Sequence, residues 1–500
     1  VVIKEVAWMG TTTSANDEWI ELLNTTAASI DLTGWTLNAA DGTPSIALSG
    51  SIPAGANFLL ERTNDDTVPG VAADLIYTGA LGNDGENLIL RDETAAVIDA
   101  VDSSSGWFSG HNEAGVPMVR VDAAVSGSIP SNWTYNPRCG SATNSAGISH
   151  TCVLTETAVG TALDYQVYFN DLAPTAAVTT TAQTSMEAAL ISLINNASTS
   201  LDMAIYGLNR QSLVEALIAA HNRGVTVRVV GDDEASTVSY QPFYQALTDA
   251  GIPIVTDSSM SIIQHNKFLV VDGQTVWTGS TNWTDTGFTL NANNSVVITD
   301  TILAAVYTTE FEEMWAGTFH NAKADNTVHL FNYNGLRLES YFSPTDLVAF
   351  EVRDELAQAD ETIHFAMFFW TDTVLSDQAI AQIEAGVEVA GMFDQLGEAN
   401  GSSADEALCA AGAQVGVESS AGKLHDKFAV IDVNGSDPTV ILGSYNWTGS
   451  GAYSNDENTL IIHDMALAQA YYAEWQRLWA SIDLEDICNP DSVYLPLVVR

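Results

Sequence analysis

Over its first quarter the chain carries short runs that are apolar or alternate apolar with polar: Val1–Val6, Glu18–Leu23, Thr36–Leu37, Phe58–Glu61, Asn87–Arg91 and Val97–Val101. Gly, Asn, Asp and Pro clusters separate them. Short runs with that punctuation predict an all-β sandwich over residues 1–138. A Ser/Thr/Ala/Gly-rich stretch, residues 139–160, then reads as a linker. Beyond it the pattern changes. Amphipathic helical runs at Met186–Asn196 and Gln211–Arg223 alternate with apolar runs at Leu201–Tyr206 and Val225–Val230. The same succession returns at Leu347–Ala359, Ile363–Phe368, Leu375–Ala385 and Val387–Phe393, with Gly224 and Gly386 marking helix ends. Helices alternating with buried strands predict α/β layering.

The second pattern is an internal repeat. Leu201–Tyr206 matches Ile363–Phe368, and Arg223–Asp232 matches Ala385–Asp394, both at an offset of 162. Repeats of this size are domain halves rather than solenoid units, here residues 161–335 and 336–500. Each half holds one H-x-K-x4-D motif: His265, Lys267 and Asp272 in the first, His425, Lys427 and Asp432 in the second. Each runs on into a G-S-x-N-W-T segment, carrying Ser280 and Asn282 or Ser444 and Asn446. Composition alone would supply about 0.007 such triplets in a chain of this length, so two copies with matching sequels are not chance. The apolar residues Phe268–Val271 and Phe428–Ile431 predict strands that end at Asp272 and Asp432 in hairpin turns.

Composition sharpens the reading. The net charge is −47 because Lys and Arg together number 16 against 63 Asp and Glu. Such a surface repels polyanions and stays soluble. Two of the five lysines nonetheless sit in the twin motifs, which points to a site for a negatively charged group. No apolar run is long enough to cross a bilayer. The start at Val1, without Met or apolar leader, fits a removed signal peptide or a trimmed chain. Four cysteines without C-x2-C spacing favour two disulfides, Cys139–Cys152 and Cys409–Cys488, and a secreted or cell-surface setting.

A histidine beside a lysine is a poor metal site, so no metal and no cofactor is expected. It is a good phosphate site. Lysine offers a point charge to nonbridging oxygens, and the Ser and Asn of G-S-x-N offer hydrogen bonds to them. Two imidazoles facing one cleft supply a nucleophile and an acid near neutral pH. Asp272 and Asp432 are expected to brace loops or partner the lysines. Lys423 is expected at the cleft mouth, with Arg210, Arg223 and Arg228 focusing a local positive field. Trp283 and Trp447 are expected either to stack on substrate or to pack in the core. His150, His221, His320, His329, His364 and His463 read as structural, and His111, Asp84 and Glu86 as surface loop residues.

Two resemblances follow from these residues. Glu18–Leu22, Ile30–Leu37, Leu81–Leu90 and Val97–Asp99 are similar to a lamin-tail domain, which implies an immunoglobulin-like sandwich serving as a binding or spacer module. The twin motifs resemble the phospholipase D superfamily. That resemblance implies two pseudo-symmetric α/β halves sharing one active site, and metal-independent attack on a phosphodiester through a phosphohistidine. The family pattern also places a carboxylate after G-S-x-N to hold the histidine ring. Glu457 matches it, whereas Asn293 stands at the equivalent first-half position. The expectation is that Glu457 raises the pKa of His425, making it the general acid, and that Asn293 leaves His265 neutral as the nucleophile. A nuclease is the first substrate reading. The alternatives are a phospholipase D acting on lipid headgroups and a non-catalytic attachment module. A monomer suffices, since both motifs lie in one chain.

Overall fold

The computed structural model describes residues 1–10, 14–68, 70–110, 117–135, 145, 156–170, 184–418, 422–481, 485–486 and 488. The chain divides into two compact units, Val1–Val153 and Leu154–Arg500. The first is a β-sandwich. A six-stranded sheet runs in the order 133–135, 118–120, 2–7, 19–23, 57–62, 75–77, and a four-stranded sheet in the order 97–102, 87–91, 36–39, 45–47. All six runs expected from the sequence are strands, with ends that match or shift by one or two residues. Their inward side chains, Ile3, Ile20, Leu22, Leu37, Leu59, Leu88 and Leu90, are fully buried in one core. Glu86 departs from expectation: it is buried, and burial pushes its carboxyl up to about 7. Asp84 is exposed, while His111 and His150 lie outside the described residues.

The second unit contains two sheets. The first-half sheet runs 165–169, 294–299, 275–279, 267–271, 200–205, 226–231, 254–256. The second-half sheet runs 156–159, 330–333, 336–343, 457–463, 439–443, 427–431, 362–367, 388–394, 414–418, 485–486. Two expected boundaries move. The strand Glu156–Val159, expected in the linker, pairs in parallel with Leu330–Tyr333 at the edge of the second-half sheet. The hairpin that opens that half starts before residue 336.

Alternation on the central strands explains the layering. Leu201, Met203, Leu269 and Val271 face the helices Ser185–Asn196 and Gln211–Asn222 in one core. Ala429, Ile431, Phe365 and Ile363 do the same with Val348–Ala357 and Thr373–Ala385 in another. The opposite faces, Phe268, Val270 and Val276 from one half and Phe428, Val430 and Val440 from the other, share a single core with the helices Thr301–Trp315 and Met465–Ser481. One apolar core therefore joins the two halves. Cys409 and Cys488 form a disulfide, Cα–Cα 5.0 Å, in line with the expected pairing. Cys139 and Cys152 lie outside the described residues.

Asp272 and Asp432 end their strands in left-handed conformation, φ 54° and 48°, which Asp tolerates better than most residues. They brace loops and do not partner the lysines. The Asp272 carboxylate accepts from the amides of Ser198, Thr199 and Ser200 at 2.7–3.1 Å. That of Asp432 accepts from Asp360, Glu361 and Thr362 at 2.7–2.8 Å. Each ties a helix-to-strand loop to the far end of the motif strand, the length of five residues from the lysine. Partial burial alone would raise Asp272, but the Ser200, Thr199 and Ser198 amides hold it well below the ordinary carboxylate range.

Two outcomes follow. Phe428, fully buried in the core that both halves share, packs edge-on to Tyr471 at 5.1 Å; Phe428→Ala should lower unfolding free energy by about 3–5 kcal/mol in a urea titration. Asp272 contributes stability above the ordinary carboxylate pKa and loses it as pH falls through its depressed native value. Asp272→Ala should therefore lower the melting temperature at pH 7, with the difference from wild type shrinking below about pH 4.

Candidate active site

The glycine of each G-S-x-N segment is set by a close backbone approach. A Cβ at Gly279 would lie 2.4 Å from the Asn294 carbonyl oxygen, and one at Gly443 would lie 2.1 Å from that of Asn458. That approach lets Ser280 and Ser444 donate backbone N–H bonds of 3.0 Å to those same carbonyls. Their hydroxyls then turn inward. Ser280 Oγ donates to Asn293 Oδ1 at 2.9 Å, and Ser444 Oγ donates to Glu457 Oε2 at 2.6 Å. Both serines are wholly buried, so they hold the ring-orienting residues and the expected role in binding substrate is corrected.

The orienting residues reach across the interface. Glu457, in the second half, accepts from His265 Nδ1 at 2.8 Å, and Asn293, in the first half, accepts from His425 Nδ1 at 2.9 Å. This reverses the expected pairing. The neighbouring residues cross as well: Asn294 Nδ2 donates to Asp426 at 2.7 Å, and Asn458 Nδ2 donates to Asn266 at 2.8 Å. The backbone repeats the exchange, with His265 N–H on the Asp456 carbonyl and His425 N–H on that of Ala292, both at 2.9 Å. Asn266, Asp426, Asn294 and Asn458 were not singled out from the sequence. Their signal was the polar middle residue of each H-x-K and the Asn that follows Asn293 and Glu457.

His265 and His425 line one cleft of ≈ 550 Å³ with Asn282, Asn446 and the exposed Lys423. Each motif strand begins only at the lysine, so each histidine sits in the two-residue lead-in rather than on the strand. Lys267 and Lys427 donate to the backbone carbonyls of His265 and His425, the second at 2.8 Å. They lie beneath aromatic rings, Lys267 Nζ 5.6 Å from Tyr206 and Lys427 Nζ 4.9 Å from Phe368. Tyr206, Tyr240, Phe368 and Phe369 form the apolar walls. Trp283 and Trp447 do not: both are buried in core clusters, and Trp447 packs edge-on against Trp370 at 4.6 Å.

Burial governs the charges. Burial first, then the motif lysines, pushes both imidazoles well below their ordinary pKa. Burial also brings Lys267 down to about 7 and Lys427 well below its usual range, while it lifts Glu457 to about 8. Burial thus drives both lysines and the carboxylate toward their neutral forms. The three arginines expected to add field are committed elsewhere. Arg210 pairs with Glu187 and Asp285, Arg223 donates to the carbonyls of Ile194 and Asn195, and Arg228 pairs with Asp202 and Glu312.

Three of the remaining described histidines are held by protein groups. His364 packs between Tyr472 and Trp475, and burial brings it down to about 4. His329 bonds the Ser340 carbonyl and Asp325, and His463 bonds Thr439 and Asp437. Among the described residues, two groups have metal-compatible spacing, Asp325–His329–Asp346 and Glu339–Glu355–His463. Neither belongs to the cleft, and Arg337 occupies the second.

The family model for the cardiolipin synthase, phospholipase D-like domain matches residues 190–315 and 352–479, and the Lamin Tail Domain model matches residues 1–105. Mitochondrial cardiolipin hydrolase of Xenopus tropicalis is 35% identical over 126 residues, which is 25% of this chain and 59% of the relative. Phospholipase D of Rickettsia typhi is 32% identical over 143 residues, 28% of this chain and 64% of the relative. The chain thus spans about three-fifths of the length of these relatives. Among solved structures, NUC of Salmonella typhimurium, a phospholipase D family member, is 30% identical with a TM-score of 0.27, covering 31% of this chain and 95% of that one. With both motif-bearing halves matched, over half of its length, the chain belongs to the phospholipase D-like family and carries an N-terminal lamin-tail domain.

Proposed function

We propose that the protein is a metal-independent phosphodiesterase that works in two displacements through a phosphohistidine at His265. The observation that carries this reading is the crossed pair of ring-orienting bonds, which puts His265 and His425 on one cleft with different partners. With Nδ1 turned to Glu457, His265 keeps Nε2 for attack on phosphorus. Forming the N–P bond makes that ring cationic, and a carboxylate stabilises a cationic imidazole where an amide does not. Once the negative charge of the bound diester has raised its pKa, the doubly protonated His425 gives its Nε2 proton to the leaving oxygen as the P–O bond breaks. Its Asn293 partner leaves the imidazolium less stabilised and therefore more acidic. In the second displacement the neutral His425 takes a proton from water, which attacks phosphorus and releases His265. The nucleophile assignment therefore stands with the opposite reasoning from that drawn on sequence. Lys267, Lys427, Asn282 and Asn446 hold the nonbridging oxygens.

For the substrate, we favour the headgroup of a zwitterionic phospholipid over a nucleic acid. A polyanion needs a basic track for counterion release, and Arg210, Arg223 and Arg228 are spent on carboxylates and carbonyls. The cleft walls are aromatic. The exposed Leu290 lines the cleft, and the exposed Val238 and Met260 stand two and three residues before its lining residues Tyr240 and Ile263. The chain's charge of −47 would repel an anionic membrane more than a neutral one. The names of the cardiolipin hydrolase and phospholipase D relatives agree with a lipid diester. Single-stranded nucleic acid is the second reading, because Tyr206, Tyr240, Phe368 and Phe369 also offer faces on which bases stack. The Cys409–Cys488 disulfide supports a secreted or cell-surface location.

Turnover of bis(p-nitrophenyl) phosphate should be unchanged by EDTA and abolished by His265→Asn. His425→Asn should retain a burst on this good leaving group and accumulate adduct, because the second step has lost its base. Alkaline quench and peptide mass spectrometry should then find the p-nitrophenyl phosphoryl group on His265; no adduct there, or an adduct on His425 in the His265→Asn protein, would overturn the assignment. Phosphatidylcholine vesicles, single-stranded oligonucleotide and plasmid, each in EDTA, separate the substrate classes. Cleavage of the oligonucleotide with no release of choline would reject the lipid reading.

A further inference from the structure

A buried charged cluster stands behind one of the two catalytic pairs, and Ala292 takes the place of its central aspartate behind the other. His320 follows the helix Thr301–Trp315 in left-handed conformation, φ 57°, with its side chain 13% exposed. Its Nδ1 lies 2.9 Å from Asp456 Oδ2 and its Nε2 lies 3.4 Å from Asp257 Oδ2. Its backbone N–H donates to Asp456 Oδ1 at 2.9 Å. Lys323, fully buried, adds a 2.9 Å contact to the same Asp456 oxygen, pairs with Glu310 and donates to the Ser343 carbonyl at 3.0 Å.

The two aspartates in this cluster hold the segments that deliver the His265–Glu457 pair. Asp456 precedes Glu457, its carbonyl accepts the His265 N–H at 2.9 Å, and its own N–H donates to the Ile263 carbonyl at 3.1 Å. Asp257 accepts the Gln264 N–H at 3.2 Å, one residue before His265. Both backbone anchors of the reactive pair thus end on carboxylates bridged by one imidazole.

The His425–Asn293 pair provides an internal control. Ala292 stands where Asp456 stands: it precedes the ring-orienting residue, and its carbonyl accepts the opposite histidine N–H at the same 2.9 Å. A methyl group suffices there, so the fold does not require this charge cluster to make the crossed backbone bond. Burying two cations among three carboxylates is seldom more stable than a well-packed apolar cluster. A strained non-glycine conformation such as that of His320 persists where its surroundings fix it, and it gathers at functional sites.

We propose that His320 and Lys323 are positioning residues for the His265–Glu457 pair alone, fixing the aim of the attacking ring through Asp456 and Asp257. This inference rests on the assignment of His265 as nucleophile. An attacking nitrogen needs in-line approach to phosphorus, whereas proton donation by His425 tolerates more slack. That difference accounts for a clamp on one side only.

The test uses His320→Gln in the full chain, with Asp257→Asn as a second variant that leaves His320 in place. With bis(p-nitrophenyl) phosphate, kcat should fall about tenfold or more while KM changes little. A diester with an alkyl leaving group should lose the same factor, because the defect lies in attack and not in protonation. In protein with ¹⁵N-labelled histidine, the downfield Nδ1 proton of His265 should shift or vanish in both variants while that of His425 stays. Unchanged kcat and unchanged His265 signal would overturn the proposal. Loss of both histidine signals, or a larger defect with the alkyl leaving group, would overturn it in favour of general structural damage. A wild type that cleaves no diester but shows the selective shift would reject the catalytic reading and leave the positioning role intact.

Discussion

Everything at the cleft depends on an exchange of hydrogen bonds between two copies of one fold. Each half buries polar groups that only the other half satisfies: Asn266 needs Asn458, Asp426 needs Asn294, and each histidine needs a residue across the interface. A buried polar group without a partner costs roughly 1–3 kcal/mol, so the half-sites are poor structures until they meet. The shared apolar core of Phe268, Val270, Phe428 and Val430 supplies the non-directional energy of docking. The crossed bonds then set its register. Assembly of the site and docking of the halves are thus the same event.

The same burial that makes those bonds strong makes the site's own charges costly. Lys267, Lys427 and Glu457 are all driven toward their neutral forms, with burial the first cause in each case. A phosphodiester bound between the lysines would bring negative charge that favours their cationic forms. At an effective dielectric near 20, one such contact at 4 Å is worth about 4 kcal/mol. That local gain is set against a chain of charge −47, whose long-range field disfavours polyanions. A site strongly attractive at contact and repulsive at a distance suits a single diester in a neutral setting better than one in a long polyanion.

Much of this was legible in sequence, because the chain states its design twice. The offset between Leu201–Tyr206 and Ile363–Phe368 exposed the repeat, and the twin H-x-K-x4-D motifs located the chemistry. What sequence could not give was which half satisfies which. Glu457 and Asn293 were identified as ring-holding residues but assigned to the wrong rings, because a spacing along the chain carries no information about partners across an interface. Ser280 and Ser444 looked like phosphate ligands for the same reason: a hydroxyl in a motif does not declare which way it turns. The arginines failed as a local field because cations this scarce are taken by buried carboxylates such as Glu187 and Asp202. Trp283 and Trp447 followed the ordinary rule that large rings beside a site more often support it than touch its substrate.

The account's central claim is that the partner across the interface decides which imidazole attacks. Exchanging the partners tests it directly: Asn293→Glu combined with Glu457→Asn places the carboxylate behind His425 and the amide behind His265. After alkaline quench during turnover of bis(p-nitrophenyl) phosphate, peptide mass spectrometry should find the phosphoryl adduct moved to His425. An adduct that remains on His265 in the exchanged protein would contradict the account.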